Sequence, residues 1–178
     1  MRRVAPGKGE TMFLEKFYPD QEIGSAYDIP YEKLYELGYR GILFDIDNTL
    51  VTHGAPANKK AVALFRRLHA IGFKTMLISN NKEARVKPFA DSVSSRYLYK
   101  ANKPSRKGYL EAMRIMKTAP GTTLFVGDQL FTDVWGAKRT GIFSYLTKPI
   151  HPKEEIQIIL KRRLEAIVLF FYHRKYRQ

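Results

Sequence analysis

The chain reads as an α/β domain with a mostly parallel five-stranded sheet and helices on both faces, and three observations predict it. Short apolar runs rich in β-branched and aromatic residues alternate with segments whose apolar residues recur at helical spacing. Glycines punctuate the alternation at Gly38, Gly72 and Gly141. Four predicted strands or their following loops end in polar clusters: Asp45-Ile46-Asp47-Asn48-Thr49, Ser79-Asn80-Asn81, Lys103-Pro104 and Gly127-Asp128. Strand-helix alternation demands parallel strands joined by right-handed crossovers. Ligands of such sheets bind beyond the carboxyl ends of the strands, where those clusters fall.

Taken in order, residues 1 to 11 are Gly, Pro and charge and are expected to be disordered. Met12, Phe13, Leu14, Phe17 and Tyr18 form an apolar arm that should pack on the domain. Asp28-Ile29-Pro30 opens a helix that Gly38 closes. Ile42, Leu43 and Phe44 form a buried strand. After a loop from Thr52 to Asn58, Val62, Leu64, Phe65, Leu68 and Ile71 mark a helix ended by Gly72. Phe73 to Ile78 read as the second strand, about Lys82 to Ala90 as a short helix, and Tyr97 to Tyr99 as a weak third strand. A helix carries Tyr109, Leu110, Met113 and Met116. Thr122 to Val126 form the fourth strand, Thr132 to Lys138 a helix, and Ile142 to Leu146 the fifth strand. His151 to about His173 make a long final helix, so that one domain occupies 12–150 and a basic, apolar helix occupies 151–178.

The 178 residues suffice for one core without disulfides, and the absence of Cys excludes thiolate metal sites and fits a reducing compartment. A formal charge of +14 favours anionic partners: nucleic acid, ribosomes, acidic lipid surfaces or phosphorylated substrates. No apolar run approaches the roughly 20 residues of a spanning helix, so a cytoplasmic protein, soluble or peripheral on the inner membrane face, is expected. The last helix carries Ile156, Leu160, Leu164, Ile167 and Phe171 as one stripe beside Lys161, Arg162 and Arg163. Packing on the domain, a homodimer contact, or insertion into an anionic membrane interface could each use it.

The polar clusters hold every part that phosphoryl transfer from a monoester requires. Asp45 is the natural nucleophile, because a carboxylate can form an aspartyl-phosphate. Asp47 can protonate the leaving alcohol and then deprotonate the attacking water. Asp128 can hold Mg²⁺ with Asp45, a hard ion that takes oxygen ligands, and Asp133 can support the metal directly or through water. Ser79 offers a hydroxyl to phosphoryl oxygens, and Lys103 a positive charge. The alternative at each cluster is an ordinary polar turn.

The four clusters resemble motifs I to IV of the haloacid dehalogenase (HAD) superfamily, at Asp45 to Thr49, Leu77 to Asn80, Lys103-Pro104 and Gly127 through Asp133. Further likeness, in the Phe-Leu-x-x-Phe-x-Pro arm and the Tyr-Lys-Ala-x-Lys-Pro run, points to the YqeG-like branch of subfamily IIIA, which includes phosphatidylglycerophosphate phosphatases. The resemblance implies a Rossmann-like HAD fold and Mg²⁺ held by the carboxylate of Asp45, the backbone carbonyl of Asp47, and Asp128. It also implies phosphate binding by the motif residues Ser79, Asn80 and Thr49, and a phosphatidylglycerophosphate substrate. Another bulky phosphate, on a protein or a nucleic acid end, and a non-enzymatic ribosome- or RNA-binding module are the other readings. Only a loop and a helix separate motifs I and II, so no cap domain is expected and the site should be open to a phosphate displayed on something large. From Lys82 to Lys107 there are eight basic residues and two acidic ones, of which Arg85, Lys100 and Arg106 are candidate phosphate-surface contacts. His53 is read as a solvated loop residue and Trp135 as core.

Overall fold

A computed structural model describes residues 13–151 and 156–176. The stretch expected to be disordered, 1–11, and positions 152–155 of the expected last helix lie outside these residues. Among the described residues, six strands form one sheet: β1 (Gln21–Ile23), β2 (Gly41–Phe44), β3 (Lys74–Ile78), β4 (Arg96–Leu98), β5 (Thr123–Gly127) and β6 (Phe143–Thr147). Their order is β1-β6-β5-β2-β3-β4, and every pairing is parallel. The count of five is thus corrected to six. The extra strand, β1, has a polar three-residue sequence with no strand signal of its own. It pairs with the edge of β6, just beyond a clamp in which Asp20 accepts from the Ser144 backbone N–H and hydroxyl, each at 2.8 Å.

The helices are α1 (Tyr31–Glu36), α2 (Lys59–Ile71), α3 (Glu83–Val93), α4 (Arg106–Met116), α5 (Trp135–Arg139) and α6 (Ile156–Tyr176). The start of α2 is set by Asn58, whose side chain accepts from the Ala61 N–H at 2.9 Å. Its end is set by Gly72 at φ 110°, a conformation glycine adopts without a Cβ clash. Side chains alternate across the sheet. Ile42, Phe44, Leu77, Leu124 and Val126 join one core with α1, α2 and α3, while Leu43, Met76, Ile78 and Phe125 join a second with α4 and α5.

A third cluster holds the ends of the chain together. Phe17 and Tyr18 of the N-terminal arm pack with Leu130, Val134 and Leu146 and with Val168 of α6. Phe17 meets the rings of Phe131 and Trp135 edge-on at 5.0 and 5.3 Å, and Tyr18 meets Tyr172 at 5.3 Å. Of the stripe of α6 read from the sequence, Phe171 packs against this cluster, and Leu160, Leu164 and Ile167 do not. Leu160, Leu164 and Ile167 are 63%, 53% and 54% exposed, and the helix packs instead through its other face, with Glu165 and Val168 buried. Both faces are apolar enough to have been chosen, and the aromatic arm decides between them.

The chain runs outward from β2 to β3 and β4, then returns to the other side of β2 to form β5 and β6. This reversal places a crevice between the carboxyl ends of β2 and β5. No further domain interrupts the described residues between these strands.

Candidate active site

Asp45 follows β2 directly, Ser79 follows β3 and Asp128 follows β5, so parallel strand ends deliver three of the predicted groups to one crevice. Asp133 comes from Leu130–Val134, a single π-helical turn leading into α5. That turn is held by Tyr109, whose hydroxyl donates to the Thr132 carbonyl at 2.8 Å, and by Asp133 itself. The Asp133 Oδ2 accepts from the backbone N–H groups of Asp128 and Gln129 at 3.2 and 3.1 Å. Lys103 arrives on the loop after β4, which passes through positive φ at Lys100 (45°) and Asn102 (53°). Asn80 fastens that loop: its Oδ1 accepts from the Lys103 N–H at 2.6 Å and its Nδ2 donates to the Lys103 carbonyl at 3.1 Å.

The buried Lys103 Nζ donates to Asp45 Oδ1 at 2.6 Å and to Asp133 Oδ1 at 2.7 Å. Asp45, Asp128 and Asp133, all buried, each bring one carboxylate oxygen within 4.8 Å of the others. Burial holds the Asp45 carboxyl well above the ordinary carboxylate range despite the Lys103 ammonium, and Asp133 and Asp128 push the same way. Burial, then the charge of Asp133, pushes Asp128 up to about 7 although an arginine opposes it. Burial works against the charge on Lys103, but Asp133 and Asp45 outweigh it and keep the ammonium above the usual lysine value. Three buried carboxylates thus face two cations, Lys103 and Arg162. A hard divalent ion fits that donor set and offsets the remaining negative charge.

Asp47 does not join the trio. Its Oδ1 accepts from the Gly54 N–H at 2.8 Å and from Arg85 at 2.9 Å, and its Oδ2 accepts from Asn81 Nδ2 at 2.8 Å. The β2 strand stops at Phe44, so the extended geometry that would aim Asp45 and Asp47 together is lost. Arg85, read from the sequence as a surface contact, is half-buried against Asp47, whereas Lys100 and Arg106 are exposed. Thr49 donates to Asp128 Oδ1 at 3.2 Å, and the buried Ser79 Oγ accepts from the Asn81 N–H at 3.1 Å. His53 is exposed, and Trp135 is half-buried beside Phe17.

Two residues went unrecognised in the sequence: Arg162 and Glu165 of α6. The Arg162 guanidinium donates to both the carboxylate and the carbonyl oxygen of Asp128. Glu165 pairs with Arg162 at 3.1 Å and accepts from the Phe131 N–H at 3.2 Å. Their only local signal is an Arg-x-x-Glu spacing that puts both on one helix face. Beside them, between α6 and the ends of β1 and β6, lies a cavity of about 600 Å³. Glu22, Asp128, Glu165, Lys148, Arg162 and His173 give it polar lining, and Ile23, Leu146 and Leu169 contribute apolar walls.

Comparison with known proteins identifies the family. The model of the haloacid dehalogenase-like hydrolases matches residues 54–141. The protein named "Probable phosphatase YqeG" of Bacillus subtilis (strain 168) is 35% identical over 164 residues, covering 91% of this chain and 95% of that one. Phosphatidylglycerophosphate phosphatase 1, chloroplastic/mitochondrial, of Arabidopsis thaliana is 26% identical over 159 residues; the match spans 83% of this chain but 45% of that relative. Among solved structures, a HAD superfamily (subfamily III A) hydrolase from Legionella pneumophila superposes with a TM-score of 0.53 at 14% identity, covering 67% of this chain and 71% of that one. The chain belongs to the haloacid dehalogenase-like hydrolases and is a phosphatase of that family.

Proposed function

We propose that this HAD phosphatase is Mg²⁺-dependent, works through an aspartyl-phosphate on Asp45, and removes the terminal phosphate of phosphatidylglycerophosphate at a membrane surface. In this reading an Asp45 oxygen attacks phosphorus as the bond to the leaving alcohol breaks, and Asp47 gives that alcohol its proton. Water then attacks the aspartyl-phosphate, Asp47 takes back a proton, and inorganic phosphate leaves Asp45 free. Lys103 and the Ser79 hydroxyl meet the charge on the phosphoryl oxygens. Asn80 and Thr49 act through what they hold, Lys103 and Asp128. Asp45, Asp128 and Asp133, with the Asp47 carbonyl, would hold Mg²⁺, which supplies positive charge to the phosphoryl group.

The cavity beside Asp128 is the observation that carries the lipid reading. A phospholipid headgroup presents a second, diester phosphate and then apolar chains, which match the cationic Lys148 and the apolar walls. The exposed face of α6 supports it further. Leu160, Leu164, Ile167 and Phe170 stand out from the domain flanked by exposed Lys161, Arg163, Arg174 and Lys175, on a chain of net charge +14. An anionic bilayer complements that face. No described helix is long and apolar enough to cross a membrane, so the contact in this reading is interfacial.

The test is phosphate release from phosphatidylglycerophosphate in mixed vesicles, with Mg²⁺ or EDTA, for wild type and Asp45→Asn. Turnover that requires both Mg²⁺ and Asp45 is expected. Hydrolysis of an aryl phosphate alone, still dependent on Asp45, would keep the chemistry and overturn the lipid.

A further inference from the structure

We infer that the C-terminal helix is part of the active site, and that Arg162 and Glu165 are positioning residues that orient Asp128 toward the cation. The inference rests on the Mg²⁺ reading above but not on the lipid.

Arg162 grips one residue twice, with Nη1 on the Asp128 carbonyl and Nη2 on its Oδ2. A guanidinium bonded to the main chain and side chain of the same residue fixes that side chain's rotamer as well as its charge. The other carboxylate oxygen, Oδ1, takes the Thr49 hydroxyl at 3.2 Å, so Asp128 is braced on both sides. Glu165 extends the brace. One oxygen holds Arg162 at 3.1 Å and the other holds the Phe131 N–H at 3.2 Å, at the start of the turn that carries Asp133. The pair therefore touches the backbone that carries two of the three clustered carboxylates.

Packing alone does not call for these residues. Val168, Leu169 and Tyr172 already supply the apolar contacts of α6, and Glu165 is only 4% exposed. Burial raises its carboxyl above the ordinary range, with Arg162 opposing, so a buried acid there is costly and needs a partner that makes use of it. Carboxylates that ligate metals are commonly held by such outer hydrogen bonds, and removing one costs about 10–100-fold in metal affinity. A phosphatase without a cap domain would in this way recruit a helix from the end of the chain to complete its centre.

Isothermal titration of Mg²⁺ into the full chain, with no substrate present, tests the inference. Arg162→Ala is expected to weaken binding about 10–100-fold, Arg162→Lys to recover part of it, and Glu165→Gln to weaken it less. Circular dichroism melts confirm that each variant is folded. If Arg162→Ala fails to fold, Arg162→Lys and Glu165→Gln carry the comparison, and unchanged affinity in both overturns the inference. Affinity in Arg162→Ala equal to or tighter than wild type also overturns it, the tighter case meaning that Arg162 competes with the ion. A wild-type protein that binds no Mg²⁺ would overturn this inference and the Mg²⁺ reading together. Failure to hydrolyse the lipid leaves the titration unaffected.

Discussion

Arg85 reaches from α3 to within 2.9 Å of Asp47 and shares that carboxylate with Gly54 and Asn81. Three donors on one carboxylate fix its direction. Charge-assisted bonds of this kind contribute about 1.5–3 kcal/mol, which corresponds to roughly 10–100-fold in rate. Arg85→Ala is expected to lower kcat/KM on an aryl phosphate by that factor, with Arg85→Lys partly restoring it. Steady-state rates indistinguishable from wild type would remove Asp47 from the proposed acid-base role or Arg85 from its support.

Lys103 is the counter-charge for two buried carboxylates at once. Lys103→Met keeps the volume and removes the charge, leaving Asp45 and Asp133 facing each other in a dry site. Breaking a buried ion pair from one side costs about 3–5 kcal/mol. Urea unfolding without Mg²⁺ is expected to show a loss of that size, and adding Asp45→Asn to Lys103→Met should recover part of it. A Lys103→Met variant as stable as wild type would show that the site does not need the charge.

The outward face of α6 separates surface from site. Replacing Leu160, Leu164 and Ile167 together by Ser should leave the melting temperature within a few degrees of wild type, because these side chains are mostly in solvent. Sedimentation with phosphatidylglycerol vesicles should fall several-fold, while aryl phosphate turnover persists. Unaltered sedimentation would assign vesicle binding to another surface.

His69 provides a pH test remote from the carboxylates. Its Nε2 lies 2.9 Å from Thr75 Oγ1, which in turn lies 2.9 Å from Ser95 Oγ, and burial pushes the imidazole below its ordinary value of 6.5. The folded state therefore binds a proton less readily than the unfolded chain. The stabilisation is complete above pH 6.5 and is lost as pH falls from there through the lower folded value. An NMR titration of His69 should give a midpoint below 6.5, and wild type should lose more stability than His69→Gln between pH 8 and pH 5. A midpoint at or above 6.5 would reverse the sign.

Much of the site was legible because it is local chemistry placed by a global rule. Asp45, Ser79 and Asp128 each follow an apolar run directly, and in a parallel sheet strand ends share one rim. Recognising the runs was therefore enough to bring these residues together. Lys103 needed one further step, since it follows β4 by a loop that Asn80 pins in place. The pairing of Asp47 with Arg85 was not readable, because it depends on where β2 stops.

By itself, the order of residues determined the alternation of strands and helices, the acidic rim, and the absence of an inserted domain between the first two motifs. Periodicity and turn chemistry act over a few residues and need no knowledge of the rest of the chain. Only the tertiary structure decided that Gln21–Ile23 would complete the sheet, that α6 would turn Leu160, Leu164 and Ile167 outward, and that Arg162 would meet Asp128 from 34 positions away. A helix that is apolar on both sides can dock by either face. The choice falls to the partners waiting on the domain, Phe17 and Tyr18 for its rings and Asp128 for its charge, and those partners are neighbours only in the folded chain.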